Sequence, residues 1–422
     1  MQPPLCQAMR AVATLWQGPP TPDREAATVR NGQTMDMITT TPALAAFCKH
    51  AGGYDFVTVD TEFLRETTYW PKLCLLQAAT TDEAVLVDPL APGLDLTPFF
   101  DLLQNAKVTK VFHAARQDIE IFVKLSGRVP RTIFDTQVAA SVCGFGDSVS
   151  YDNLVRAVVG VELDKSSRFT DWSHRPLTEK QKTYALADVT HLRDIYQALK
   201  VQVDETKRWD WVEDELEVLR SIDTYVVQPE QAWERLKAKI GRPRDLAALK
   251  AIAEWRERRA QDNDQPRSRI LKDDAVAELA IQRPTTPEQF EKLRAVQKGF
   301  GRSSAAAEIM TLMKTVEELP KSELPHMPER YRGPSPKGAV GDLIRVLLKA
   351  VSEQNGVAPR ILATSEDIDA LVLDDEADVP ALKGWRRKLF GEKALAIKHG
   401  HIGLAATRKG IVEFPISETH PK

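Results

Sequence analysis

Phe56-Val57-Thr58-Val59-Asp60-Thr61-Glu62 is a run of β-branched and aromatic residues that ends in two carboxylates and follows the turn signal Gly52-Gly53. A short apolar run bounded by glycines is predicted as a buried strand. Period-two alternation then puts Asp60 and Glu62 on one face of its sheet. Two carboxylates so close repel, and the pair is costly unless a cation or hydrogen bonds neutralise it. At a strand end both can reach one divalent ion through hard oxygen ligands. Many strands end in acidic turns, so the pair alone decides nothing about chemistry.

Working outward, a helix is predicted over Pro42–His50, and further strands over Leu73–Ala79, Ala84–Asp88 and Val108–Phe112. Helices are predicted over Leu96–Asn105, Ala115–Lys124, Phe134–Cys143, Tyr151–Val158 and Thr178–Leu199. Three strands, then αβα, then helices describe an α/β domain with a mixed sheet. Past residue 205 the strand signals stop. Arg244–Ala260, Pro287–Gln297 and Gly341–Ser352 are amphipathic helical patterns, with the proline-rich stretch Glu318–Pro336 between them as a linker. Two features recur in the same order: Gln265–Leu271 before Asp273-Asp274 resembles Ala358–Leu362 before Glu366-Asp367. Phe300-Gly301 is then matched by Phe390-Gly391, which favours duplicated helical modules.

Composition sets the outer bounds. The 422 residues are 43% hydrophobic and 28% charged, which is ordinary globular usage. No run approaches the roughly 18 apolar residues of a membrane span. Cys6, Cys48, Cys74 and Cys143 lie far apart with no CxxC pair, so a reducing cytoplasm is expected. Residues 1–35 carry five prolines and no periodicity and read as a disordered extension, with Met35 and Met37 as alternative starts. The net charge is −3, and residues 36–200 hold 17 Lys+Arg against 21 Asp+Glu. No segment has the bulk positive excess of an electrostatic nucleic-acid binder, so any such binding must use local patches, bound metal ions or pocket contacts. Residues 241–313, with 14 Lys+Arg against 11 Asp+Glu and Arg256, Arg258 and Arg259 among them, form a modest basic patch.

Two more acids sharpen the first pair. Asp118 closes His113-Ala114-Ala115-Arg116-Gln117-Asp118, where a strand gives way to a helix. Asp188 closes Tyr184-Ala185-Leu186-Ala187-Asp188, and the four-residue spacing puts Tyr184 and Asp188 on one helical face. Each has an ordinary alternative: Asp118 as a helix-start acid favoured by the dipole, Asp188 as a solvated residue.

Together, Val59–Phe63, His113–Asp118 and Tyr184–Asp188 resemble the three motifs of the DEDD exonucleases, tyrosine subclass. Glu66, Thr67, Tyr69, Pro71 and Leu73 are similar to the bacterial ribonuclease D family in particular. The helical blocks resemble its helicase-and-ribonuclease-D C-terminal (HRDC) modules. The resemblance implies a ribonuclease H-like α/β exonuclease domain with a mixed sheet over 36–205 and a helical connector over 206–240. Two all-α modules would follow, an HRDC domain at 241–318 and a second HRDC-like domain at 337–412, separated by the linker 319–336 and followed by a tail at 413–422.

It also implies a 3′→5′ exoribonuclease working by two-metal hydrolysis and releasing nucleoside 5′-monophosphates. Asp60, Glu62, Asp118 and Asp188 would hold two Mg²⁺ or Mn²⁺ ions, Asp60 bridging them, and Tyr184 would orient the attacking water. Thr61, Gln77 and His113 are weaker candidates for substrate contact, and Asp135 is read as a helix cap. The expected partner is RNA, tRNA precursors with 3′ extensions above all, bound by a cytoplasmic monomer with no membrane association. The rival readings are a DNA 3′-exonuclease and a non-catalytic RNA-binding module; the second expects a missing acid, and none is missing.

Overall fold

The computed structural model describes residues 37–327 and 338–416. The extension expected at 1–35, residues 328–336 of the proline-rich linker and the last six residues lie outside them. The first domain begins with α1 (Thr41–Ala51), which leads into β1 (Phe56–Leu64), β2 (Lys72–Ala79) and β3 (Ala84–Val87). Next come α2 (Thr97–Gln104), β4 (Thr109–Phe112) and α3 (Arg116–Ser126). The sheet order is β3-β2-β1-β4, with a fifth strand, β5 (Ile133–Asp135), beyond β4; β1 runs antiparallel to β2 and parallel to β4, so the sheet is mixed as expected. β2 reads Leu-Cys-Leu-Leu-Gln-Ala-Ala after its first residue, and all seven are buried because both faces of the strand are covered.

The fifth strand corrects one expectation. Ile133–Asp135 is β5, paired in parallel with β4, where a helix was expected to begin at Phe134. Three residues are too few to show alternation. Asp135 then takes the N-cap role read from the sequence: its carboxylate accepts the Gln137 amide and starts α4 (Thr136–Val142). After α5 (Tyr151–Val158), the long α6 (Glu179–Thr206) opens with a Thr178/Gln181 capping box. It lies across β1, β2 and β3, and Val189, Leu192, Ile195 and Leu199 are buried along it. Each such side chain contributes about 1.5–3 kcal/mol by leaving water.

The connector is more than a spacer. Val212, Leu216 and Leu219 of α7 (Trp209–Arg220), with Tyr225 beyond it, belong to the same hydrophobic core as the sheet. The helical region follows as α8 (Pro243–Asp262), α9 (Arg267–Ile270), α10 (Asp273–Gln282), α11 (Pro287–Phe290) and α12 (Ser304–Glu318). The expected helix 287–297 stops at Phe290, because Glu278 on α10 accepts the Arg294 and Ala295 amides and draws the chain away. A second block repeats the order with α13 (Ala339–Asn355), α14 (Pro359–Leu362), α15 (Ser365–Leu373) and α16 (residues 384–398).

The recurring Phe-Gly has a physical reason. A side chain on Gly301 would collide with the Pro287 carbonyl, and one on Gly391 with the Ala381 carbonyl, so each glycine seats its helix on a short proline-led turn.

The second block is not all-α. Its chain ends in a hairpin, β6 (Ile402–Thr407) with β7 (Gly410–Pro415), which also carries order past the boundary expected at 412. Gly403 and the Ala405-Ala406 pair blur the alternation of β6. Gly410, at φ +123°, makes the turn that only glycine enters readily.

Both helical blocks touch the first domain. Asp264 accepts the amides of Tyr69 and Trp70 in the β1–β2 loop, and the Tyr69 hydroxyl donates to buried Glu257, which also pairs with Arg267. On the second block, Trp385 stacks on Trp211 of α7 at 4.1 Å, and the Ala358 amide donates to Ser141.

Candidate active site

β1 and α6 are pinned to each other where their acids meet. The Thr58 hydroxyl donates to the Val189 carbonyl at 2.8 Å, and from the start of α5 the Tyr151 hydroxyl donates to the Asp188 carbonyl at 2.6 Å. Thr58 lies two residues before Asp60, so both side chains leave the sheet on the face that α6 covers. Asp60, Glu62 and Asp188 are thereby gathered, with one carboxylate oxygen from each lying within 4.8 Å of the others. Among the described residues this is the cluster of acids with metal-ligand spacing.

The electrostatics are those of an unneutralised site. Burial pushes Asp60 up to about 7. Burial and then the charges of Asp60, Asp188 and Asp118 raise Glu62 to about 10. Asp188 is raised by burial and by Asp60, and the adjacent Tyr184 hydroxyl and Arg168 moderate the shift. Burial, then Asp188, Glu62 and Asp60, drive the Tyr184 phenol well above its ordinary range. Partly buried, mutually repelling hard-oxygen donors such as these fit a divalent cation, which would remove the repulsion that raises them.

Asp118 stands outside the three-acid cluster. It is buried and its carboxylate accepts a hydrogen bond from Thr61, while burial and the charge of Asp60 raise it. Its place is set by a strained turn: Ala114 has φ +59°, and Asp135 accepts the amides of Ala114 and Ala115 at 3.0 and 2.8 Å. Asp135 therefore holds the entry to α3 as well as capping α4.

Two of the three candidates for substrate contact, Thr61 and Gln77, turn inward, which corrects the expectation for those two. Thr61 is 6% exposed and its hydroxyl is committed to Asp118. Gln77 is fully buried directly opposite Asp60 on β2, and both ends of its amide lack a protein partner. His113 is held at Nδ1 by Thr136 at 3.0 Å, with its ring 5.4 Å from that of Tyr151. Burial closes Thr61 and Gln77 to a nucleotide, whereas His113 is only partly buried. Three arginines of the basic patch in the first helical block are paired with acids of the chain. Arg256 is 3% exposed and bound to Asp273, Arg258 pairs with Glu230 and Glu254, and Arg259 pairs with Glu308.

Two residues at the site went unread. Tyr151 has no signal beyond standing at a helix start. Arg168, whose charge acts on Glu62, Tyr184 and Asp188, stands in the Lys165-Ser166-Ser167-Arg168-Phe169 loop, where a basic-aromatic pair in polar surroundings was available as a cue.

Comparison with known proteins adds to this geometry. Residues 35–204 match a family model described as a 3′-5′ exonuclease, and residues 245–312 match the HRDC domain. A ribonuclease D from Nitrobacter hamburgensis is 52% identical over 383 residues, spanning 90% of this chain and 99% of the relative. Another from Bartonella henselae is 47% identical over 370 residues, spanning 87% and 91%. The crystal structure of Escherichia coli RNase D, described as an exoribonuclease involved in structured RNA processing, superposes with a TM-score of 0.78 at 29% identity. It covers 87% of this chain and 99% of that one.

Proposed function

The chain belongs to the ribonuclease D family of 3′→5′ exoribonucleases, and from that premise we propose that it trims the 3′ ends of tRNA precursors and other structured RNAs by two-metal hydrolysis. The family is metal-dependent. The observation that carries the mechanism is the convergence of one carboxylate oxygen each from half-buried Asp60 and Glu62 and buried Asp188 to within 4.8 Å. Asp60 would bridge two Mg²⁺ or Mn²⁺ ions, Glu62 and Asp188 would complete the shell of one, and Asp118 would support the other. When bound, the ions lower the pKa of the attacking water and stabilise the leaving 3′-oxygen.

The residues of the chain do the rest. Tyr184, its phenol driven above the ordinary range, stays protonated and orients the water by hydrogen bond instead of taking its proton. Thr61 holds Asp118 in place by its hydroxyl, and Gln77 packs beside Asp60 across the strand pair. Water oxygen bonds to the terminal phosphorus and gives up a proton to solvent, the P–O3′ bond breaks, and the leaving 3′-oxygen takes a proton from solvent to become a hydroxyl. The products are a nucleoside 5′-monophosphate and an RNA shorter by one residue. The modules read at 241–318 and from 337 onward would dock the body of the RNA while the nuclease domain holds its end. We place this activity in a cytoplasmic monomer; no helix among the described residues is long and apolar enough to cross a membrane.

The test is to incubate the purified protein with 3′-tailed tRNA and a matched DNA oligonucleotide, with Mg²⁺ and with chelator. Metal-dependent release of nucleoside 5′-monophosphates from RNA supports the reading. Release of 3′-phosphates, equal loss from DNA, or hydrolysis in chelator would overturn it.

A further inference from the structure

Between α5 and α6, residues 164–173 form a polar loop that presents one large apolar side chain to solvent. Phe169 is 90% exposed, the highest among the exposed large hydrophobic residues described. A lone exposed aromatic is ordinary on a protein surface. The setting of this one is not, because the loop is fastened immediately after it. The Thr170 hydroxyl donates to the Ser167 carbonyl at 2.8 Å, and the Gln181 amide donates to Thr170 at 3.1 Å. Gln181 lies on the first turn of α6, three residues before Tyr184, or about 4.5 Å along the helix. Two residues beyond Thr170, Trp172 is 2% exposed, and its ring lies 6.1 Å from that of Tyr184. The loop is therefore fixed to the wall of the acid site, and Phe169 stands out from that wall uncovered. Beside it, the exposed Arg168 lays its guanidinium carbon 5.2 Å from the Phe169 ring centre.

We propose that Phe169 and Arg168 form a clamp for the 3′ end of the RNA, Phe169 stacking on one base of the last three nucleotides and Arg168 contacting the adjoining phosphate. The proposal rests on the exoribonuclease reading and deepens it. An enzyme that removes each nucleotide in turn must grip features that all nucleotides share. A base face and a phosphate are such features, and an aromatic ring beside a guanidinium matches both. The clamp also supplies positive charge at the acid site, where the chain as a whole carries none in excess.

The test uses the full chain, short RNAs carrying 2-aminopurine at one of the last three positions, and Ca²⁺ in place of Mg²⁺. Stacking quenches 2-aminopurine, so one position should darken on binding. The quench should persist in Phe169→Trp and vanish in Phe169→Ala and Phe169→Leu, and affinity should weaken by roughly 5- to 150-fold in Phe169→Ala. Arg168→Ala should weaken binding on every sequence and lower the salt slope by about one phosphate contact. With Mg²⁺, KM should rise in Phe169→Ala while kcat moves much less. A wild type that binds and cleaves RNA with no quenched position overturns the clamp and leaves the nuclease reading standing. So does a quench unchanged in Phe169→Ala, which would assign the stacking to another group. A wild type that cleaves no RNA overturns the nuclease reading and the clamp with it.

Discussion

Asp60 is the residue on which the chemistry turns. It meets Glu62 and Asp188, its charge raises Asp118, and it has fully buried Gln77 across the strand. Asp60→Asn should abolish hydrolysis while leaving stability unchanged or higher, because it removes a shared ligand and relieves repulsion. Turnover above about one per cent of wild type, a barrier change under roughly 2.7 kcal/mol, would contradict the bridging role. Tyr184→Phe should slow turnover by roughly 10- to 1000-fold, the loss of one positioning hydrogen bond, with Mn²⁺ affinity by calorimetry nearly unchanged. A large drop in affinity would make the hydroxyl a ligand.

The raised acids also set a pH dependence. In chelator, Asp60 holds its proton up to about 7 when folded, against an ordinary value of 3.8. That contribution is complete below the ordinary value and is lost as pH rises through about 7. The thermal midpoint of the metal-free wild type should therefore fall from pH 5 to 8 relative to Asp60→Asn, and Mn²⁺ should restore more of it at higher pH. Parallel profiles for the two proteins would refute this.

At the scale of elements, the acids are legible in the sequence because strand and helix periods put them on shared faces. Asp60 and Glu62 follow period two, and Tyr184 and Asp188 follow one helical turn. What escaped was short or tertiary. β5 has three residues, the hairpin β6–β7 hides behind Gly403 and two alanines, and the inward turn of Gln77 depends on α6 covering its face. The contact between the β1–β2 loop and α8 was equally invisible, since Tyr69 and Glu257 are 188 positions apart. That loop continues directly from the strand of Glu62, so its anchoring steadies the site. Arg267→Ala leaves Glu257, 1% exposed, with its charge poorly met, at a cost of about 1–3 kcal/mol. Hydrogen exchange should then speed up in residues 65–71 while α6 stays protected. Unchanged exchange in the loop would show that the ion pair does not hold it.

For the whole molecule, the core dictates where the chain can be cut. Ending it near residue 204 would strip away Val212, Leu216 and Leu219, which belong to the nuclease core, so a truncation must keep residues through Tyr225. Such a protein should retain kcat on short single-stranded RNA and lose kcat/KM on tailed tRNA, with a shallower salt dependence, if the helical blocks dock RNA. Equal losses on both substrates, with a lower thermal midpoint, would assign those blocks to stability alone. Beneath all of this lies the claim that four acids hold two ions. It is tested most directly by anomalous diffraction from crystals of the full chain soaked in Mn²⁺. Two peaks roughly 4 Å apart with the Asp60 carboxylate between them are expected. A single peak, or a pair that does not share Asp60, would contradict it.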